Sequence, residues 1–283
     1  MGDQCPQRMR HTTIERPSDV NVVTEVDISG QGLCSLPKWL AECYNIDYLI
    51  CHNNNLTSLE NLPSRLGKLD CRSNRLTKLP YPLPPNLKYL ECGDNEITQI
   101  YDLPVGLEDL YCYRNKITNL QLPSPTNQQC TQQDGVESTN SCALTTLDCS
   151  DNRLTQLTLC SLNNLKYFTC CDNSLTHLDD LPDSIETFDC SRNKLVSINH
   201  LPTSLVQLEA NHNELTELGC DCGFPTNLVT CAINNNKLVK VGDFQQSLKS
   251  LHCEHNQLTT KPVIPQGSIS FMGYGNPFQP YMC

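Results

Sequence analysis

A skeleton of the form LxxLxCxxNxL returns along this chain at intervals of about 20 residues, and Leu66, Leu69, Cys71, Asn74 and Leu76 spell it in full. A unit of that length cannot bury an apolar face alone, so it closes a core only by stacking on its neighbours. The marker asparagines are Asn54, Asn74, Asn95, Asn115, Asn152, Asn173, Asn193, Asn213, Asn236, Asn256 and Asn276, with Gln31 at the same place in a degenerate first copy. They recur every 20 to 23 residues, apart from one interval of 37 between Asn115 and Asn152 that holds a repeat plus an insertion at about 121–143.

Each position in the skeleton has a physical task. Leu69 and Cys71 alternate with Lys68, Asp70 and Arg72, the period of a strand with one buried face, and stacked strands of this kind make a parallel sheet. Asn74 follows where the chain turns inward, and its amide can satisfy backbone groups that leave the ladder. The marker asparagines are therefore expected to form a buried row. Beyond the turn come the steps Leu62-Pro63, Leu83-Pro84, Leu103-Pro104, Leu181-Pro182 and Leu201-Pro202. Proline fixes an extended backbone and offers no donor, which disfavours a helix there.

The skeleton, its trailing LTxL and the LPxxL steps, over residues 23–278, resemble the leucine-rich repeat proteins. The likeness is to the short cysteine-bearing repeats of bacterial and giant-virus proteins, and to short-repeat effectors of bacterial pathogens. It implies a curved right-handed solenoid of about 12 coils, mostly β within the α/β-solenoid superfamily. A parallel sheet would line the concave face, with extended, polyproline-II or 3-10 segments on the convex side, and the concave face would bind another macromolecule. Residues 1–22 are expected to be a polar cap, 279–283 a tail, and the insertion, rich in Gln, Thr, Ser, Asn and Pro, a flexible surface loop.

Nineteen cysteines would read as a disulfide framework in a short secreted chain. Yet Cys51, Cys71, Cys92, Cys112, Cys149, Cys170, Cys190 and Cys253 share one inward strand position, which Ile28, Ala210 and Ile233 fill in other copies, so they read as core packing. Held one above another on parallel strands, they are poorly set for the roughly 90° torsion of a disulfide. The start MGDQCPQRMR has no apolar leader, and no run approaches the roughly 20 residues of a membrane span. The expectation is a reduced, cytoplasmic protein, in the host cytoplasm if its origin is viral or pathogenic.

Cys220 and Cys222 flank Asp221, but Cys231 falls on an inward strand position, leaving two thiols where zinc takes four ligands. Cys130 and Cys142, within the insertion, are expected to be reduced surface thiols. His52, His212, His252 and His255 lie near strand ends with no nucleophile, base and orienting acid around them, and residues three coils apart are separated by about 14 Å. No cofactor, metal or catalytic activity is expected.

The concave face carries the functional expectation. The outward residue between the two inward ones is acidic in six of eleven copies: Asp27, Asp70, Glu91, Asp148, Asp189 and Glu209. Two positions earlier stand Tyr48, Tyr89 and Tyr167, with Tyr111 and Tyr113 nearby. The tyrosines are candidate anchors, and Asp70, Glu91, Asp148, Asp189 and Glu209 candidate charges that steer a basic partner surface. A net charge of −11, with no basic face, argues against nucleic acid or an anionic membrane. A monomeric, non-catalytic protein-binding module is the favoured class. The alternatives are an effector of pathogen type working with a separate ubiquitin ligase or other enzyme, since no catalytic domain fits around the repeats, and a structural component of a particle.

Overall fold

The computed structural model describes residues 16, 22–123, 142–159, 162–220, 223–267 and 270–278. The chain divides into two units, Met1–Pro123 and Ser124–Cys283, each a stack of parallel-strand coils. The first unit pairs Glu25–Asp27, Tyr48–Ile50, Lys68–Asp70, Tyr89–Glu91 and Asp109–Tyr111 in that order. In the second, Thr146–Asp148, Tyr167–Thr169, Thr187–Asp189, Gln207–Glu209, Thr230–Ala232, Ser250–His252 and Ser270–Met272 pair likewise. Short second ladders join Gln99–Ile100 to Asn119–Leu120 in the first unit and Glu217–Leu218 to Lys240–Val241 in the second.

The strands pair without slippage, so equivalent positions of successive repeats stand side by side. Leu49, Leu69, Leu90 and Leu110 form one wholly buried column in the first unit. In the second, Phe168 and Phe188 take the same position, their rings stacked 5.2 Å apart with planes 7° from parallel. Each such burial is worth about 1.5–3 kcal/mol, which is how strands of three residues hold. Among the described residues one helical segment occurs, the 3-10 turn Lys38–Glu42. After the Leu-Pro steps the return segments carry tight turns, in which the Leu87 N–H donates to the Pro84 carbonyl at 3.1 Å and the Leu107 N–H to the Pro104 carbonyl at 3.0 Å, with Leu83 and Leu103 buried.

The asparagines knit the turns. Asn74 Oδ1 accepts the Leu56 N–H of the preceding coil at 3.0 Å, and its Nδ2 donates to the carbonyls of Cys51 and Cys71, both at 3.0 Å. Asn95, Asn193, Asn213, Asn236 and Asn256 repeat this pattern and are buried, as is Asn54, whereas Asn115, Asn152 and Asn173 are half-buried. The residue before each marker is left-handed: Asn53, Ser73, Asp94 and Arg114 in the first unit, and Asp151, Asp172, Arg192, His212, Asn235 and His255 in the second. That kink turns the asparagine side chain back under the strand end.

Three expectations need correction or restriction. Gln121 N–H still donates to the Ile100 carbonyl at 2.9 Å, and Cys142 is buried with its carbonyl accepting Asn164 Nδ2 at 2.8 Å. The regular coils therefore reach further into the 121–143 interval than its composition implied, and Cys142 is a core thiol rather than a surface one. Cys34 is disulfide-bonded, so the cysteines are not uniformly reduced; thirteen others among the described residues are thiols. Residues 124–141 with Cys130, nearly all of the 1–22 segment, Asp221 with Cys222, and the 279–283 tail lie outside the described residues.

Candidate functional site

In the first unit, the solvent-facing side of the sheet is a grid of side chains from successive strands: Tyr48 and Ile50, Lys68 and Asp70, Tyr89 and Glu91, Asp109 and Tyr111. The next outward column, just beyond the buried cysteines, reads His52, Arg72, Gly93, Tyr113. Gly93 opens a gap in that column. A Cβ there would fall 2.6 Å from the Tyr113 ring, so the missing side chain is the space in which that ring lies.

Lying over Gly93, Tyr113 donates its Oη proton to Glu91 Oε1 at 3.0 Å, while Tyr89 Oη donates to Glu91 Oε2 at 2.6 Å. From the other side of the gap Arg72 Nη1 reaches Glu91 Oε1 at 2.7 Å, and Nη2 lies 3.4 Å from Asp70 Oδ2. Asp70 Oδ1 also accepts the Arg72 backbone N–H at 3.2 Å. Three successive repeats thus converge on one carboxylate, whose two oxygens are satisfied by charge-assisted bonds from three side chains.

This convergence corrects the reading of Asp70 and Glu91 as exposed steering charges: they are only 3% and 7% exposed. The tyrosines and Arg72, itself 39% exposed, form the lid. Burial pushes the Asp70 carboxyl above its ordinary value and the neighbouring Glu91 charge adds to this, with Arg72 opposing. Burial, and then the bond to Glu91, pushes the Tyr113 phenol up to about 12 and the Tyr89 phenol higher still. Tyr48 is raised by burial and by the charges of Asp70 and Glu91. The patch therefore sets two acidic side chains beside one guanidinium and holds its phenols neutral.

The aromatic members lie close together. Tyr89 and Tyr111 pair at 5.7 Å between centroids, tilted by 47°, and Lys68 Nζ stands 6.0 Å from the Tyr48 centroid. Tyr48, Tyr89, Tyr111 and Tyr113 are all half-buried. Tyrosines and carboxylates were readable from the repeat pattern; Arg72, Lys68 and Gly93 were not. The signal for them runs down a column of repeats, where a glycine interrupts a series of long side chains.

The second unit has a plainer face. Asp148 Oδ1 accepts the Ser150 N–H at 3.0 Å and also its hydroxyl, and Asp189 Oδ1 accepts the Ser191 N–H at 2.8 Å. Glu209 Oε1 accepts from Gln207 at 2.8 Å, and Tyr167 is half exposed. No outward strand position in this unit holds Lys or Arg. Among the described residues no cluster of three or more His, Cys, Asp and Glu could hold a metal ion, and no helix is long and apolar enough to cross a membrane.

Known proteins carry the same repeat and the same fold. The family described as Leucine Rich Repeat matches residues 143–165. YopM from Yersinia enterocolitica is 30% identical with a TM-score of 0.52, over 89% of this chain and 59% of that one. This chain thus spans about three fifths of that YopM chain. YopM from Yersinia pestis, a leucine-rich effector protein, is 24% identical over 90% and 84% of the two chains, with a TM-score of 0.51. Drosophila Toll, in its complex with Spatzle, shares the fold at 22% identity and a TM-score of 0.66, over 83% of this chain and 35% of that one. No curated protein matches the chain.

Proposed function

We propose that this chain, a leucine-rich repeat solenoid, is a non-catalytic interaction module that binds a protein partner through the solvent-facing side of the sheet in its first unit. The observation that carries this reading is the Tyr89–Glu91–Tyr113–Arg72 network. Its members are locked before any partner arrives, so docking on them costs little side-chain entropy. Half-buried tyrosines held rigid are the residue type that dominates interface energetics. The acidic second-unit residues Asp148, Asp189 and Glu209 supply a field that speeds encounter with a basic partner surface.

A second reading, an effector of pathogen type acting beside a separate enzyme, draws on the 30% identity to YopM and would place the module in a host cytoplasm. The thirteen thiols suit that compartment better than the Cys34 disulfide does. Both readings use the same surface.

The test is affinity capture from lysate with wild type beside Tyr48→Ala/Tyr111→Ala, a pair chosen because it leaves the Glu91 hydrogen bonds intact. Circular dichroism first establishes that both are folded. A protein retained by the wild type and lost by the variant is the expected result. Equal retention by both would move the contact off this face, and no retained protein at all would remove the module reading.

A further inference from the structure

Resting on that reading of the first-unit face, we infer that the patch receives one arginine side chain of the partner, seated against the Tyr89 and Tyr111 rings and the outer lone pair of Tyr89. The arginine does not replace Arg72 in its contact with Glu91. Four observations lead there. Asp70 and Glu91 are sealed, so an incoming cation cannot form a salt bridge with them unless the 2.7 Å Arg72–Glu91 contact breaks. The protons of the Tyr89 and Tyr113 hydroxyls are both spent inward on Glu91, and Arg72 already donates to the Tyr113 oxygen, so it is the Tyr89 oxygen that faces a partner as an acceptor.

Charge gives the third observation: the outward grid and its next column hold three acidic side chains, Asp70, Glu91 and Asp109, against two basic ones, Lys68 and Arg72, an excess that favours a cation at the ring faces. Fourth, the chain already sets a cation against a ring of this patch, with Lys68 Nζ 6.0 Å from the Tyr48 centroid. Ring faces and an acceptor oxygen side by side suit a planar, weakly hydrated guanidinium better than a compact ammonium, which loses more on desolvation. An anionic segment is repelled, and a neutral apolar one would cover the phenol oxygen without donating to it.

The probe is a fluorescent ten-residue peptide alternating arginine and serine, compared by anisotropy at 0.15 M salt with the same peptide carrying citrulline, which keeps the shape and loses the charge. The arginine peptide should bind at least about tenfold more tightly than the citrulline one. Tyr111→Phe should keep affinity within about threefold, whereas Tyr111→Leu should weaken it about tenfold, the range of one desolvated cation–π contact. The Asp148→Asn/Asp189→Asn control in the second unit should stay within about twofold.

No binding of the arginine peptide, equal binding of the citrulline peptide, or a Tyr111→Leu variant that binds like wild type would each overturn the inference. So would a loss that tracks Asp148 and Asp189, which would reduce the effect to general acidity. The protein capture separates the two levels. If capture depends on Tyr48 and Tyr111 while the peptide ignores Tyr111, the module stands and the arginine seat falls; if capture is also indifferent to them, both fall.

Discussion

Replacing Asn193 by alanine tests whether the asparagine row holds the coils together. Asn193 is 8% exposed; its Oδ1 accepts the Leu175 N–H at 3.0 Å and its Nδ2 donates to the Cys170 carbonyl at 3.0 Å and the Cys190 carbonyl at 3.1 Å. The carbonyls are doubly served. Cys170 O also accepts from Asn173 at 3.1 Å and Cys190 O from Asn213 at 3.0 Å, so neither is orphaned by the change. The Leu175 N–H, on a wholly buried residue, has no such reserve. One stranded buried donor costs about 1–3 kcal/mol, and weakening two carbonyls adds about 0.5–1 kcal/mol, so Asn193→Ala should lose about 1.5–4 kcal/mol. Urea denaturation by circular dichroism measures the total. Hydrogen exchange supplies the location, because the Leu175 amide should lose protection first while coils remote within the second unit keep theirs. A loss below about 0.5 kcal/mol with Leu175 still protected would refute the reasoning.

Two further perturbations probe the burial of charge and of thiols. Because the folded-state pKa of Asp70 is raised, its contribution favours folding fully below the ordinary value of 3.8 and is lost as pH rises through the raised one. Asp70→Asn keeps an acceptor for the Arg72 N–H and should therefore gain on wild type from pH 4 to 7 in denaturant titrations; a gap that stays constant or reverses would be the contrary result. For the thiols, burial pushes Cys92 and Cys253 up to about 12 and Cys71, Cys170 and Cys190 far above the ordinary range. Iodoacetamide at pH 8 and then mass mapping should label half-exposed Cys220 in the native protein and these five only after denaturant, and labelling of the column at the rate of Cys220 would count against the packing.

What could be read from the sequence and what could not divides along a geometric line. Properties that repeat along the chain were legible, because Leu69, Cys71 and Asn74 recur at fixed offsets and a period-two alternation has one structural meaning when it returns so many times. The left-handed residue before each asparagine was legible in principle as a column of Asn, Asp and His, residues that tolerate that conformation, though Arg114 and Arg192 obscure it. The site was a different matter. Alternation predicts that Asp70 and Glu91 point outward, and they do leave the core, but it cannot say that Arg72 and Tyr113, from different repeats, fold over them. Such an outcome depends on which side chains stand next to one another between coils, and at Gly93 on which side chain is missing. In a solenoid the repeat specifies the scaffold, and departures from it, compared at equivalent positions, specify the chemistry. For this chain the consequence is specific: restoring a side chain at the gap, as in Gly93→Ala, should displace Tyr113 from Glu91 while every strand and every asparagine bond remains in register.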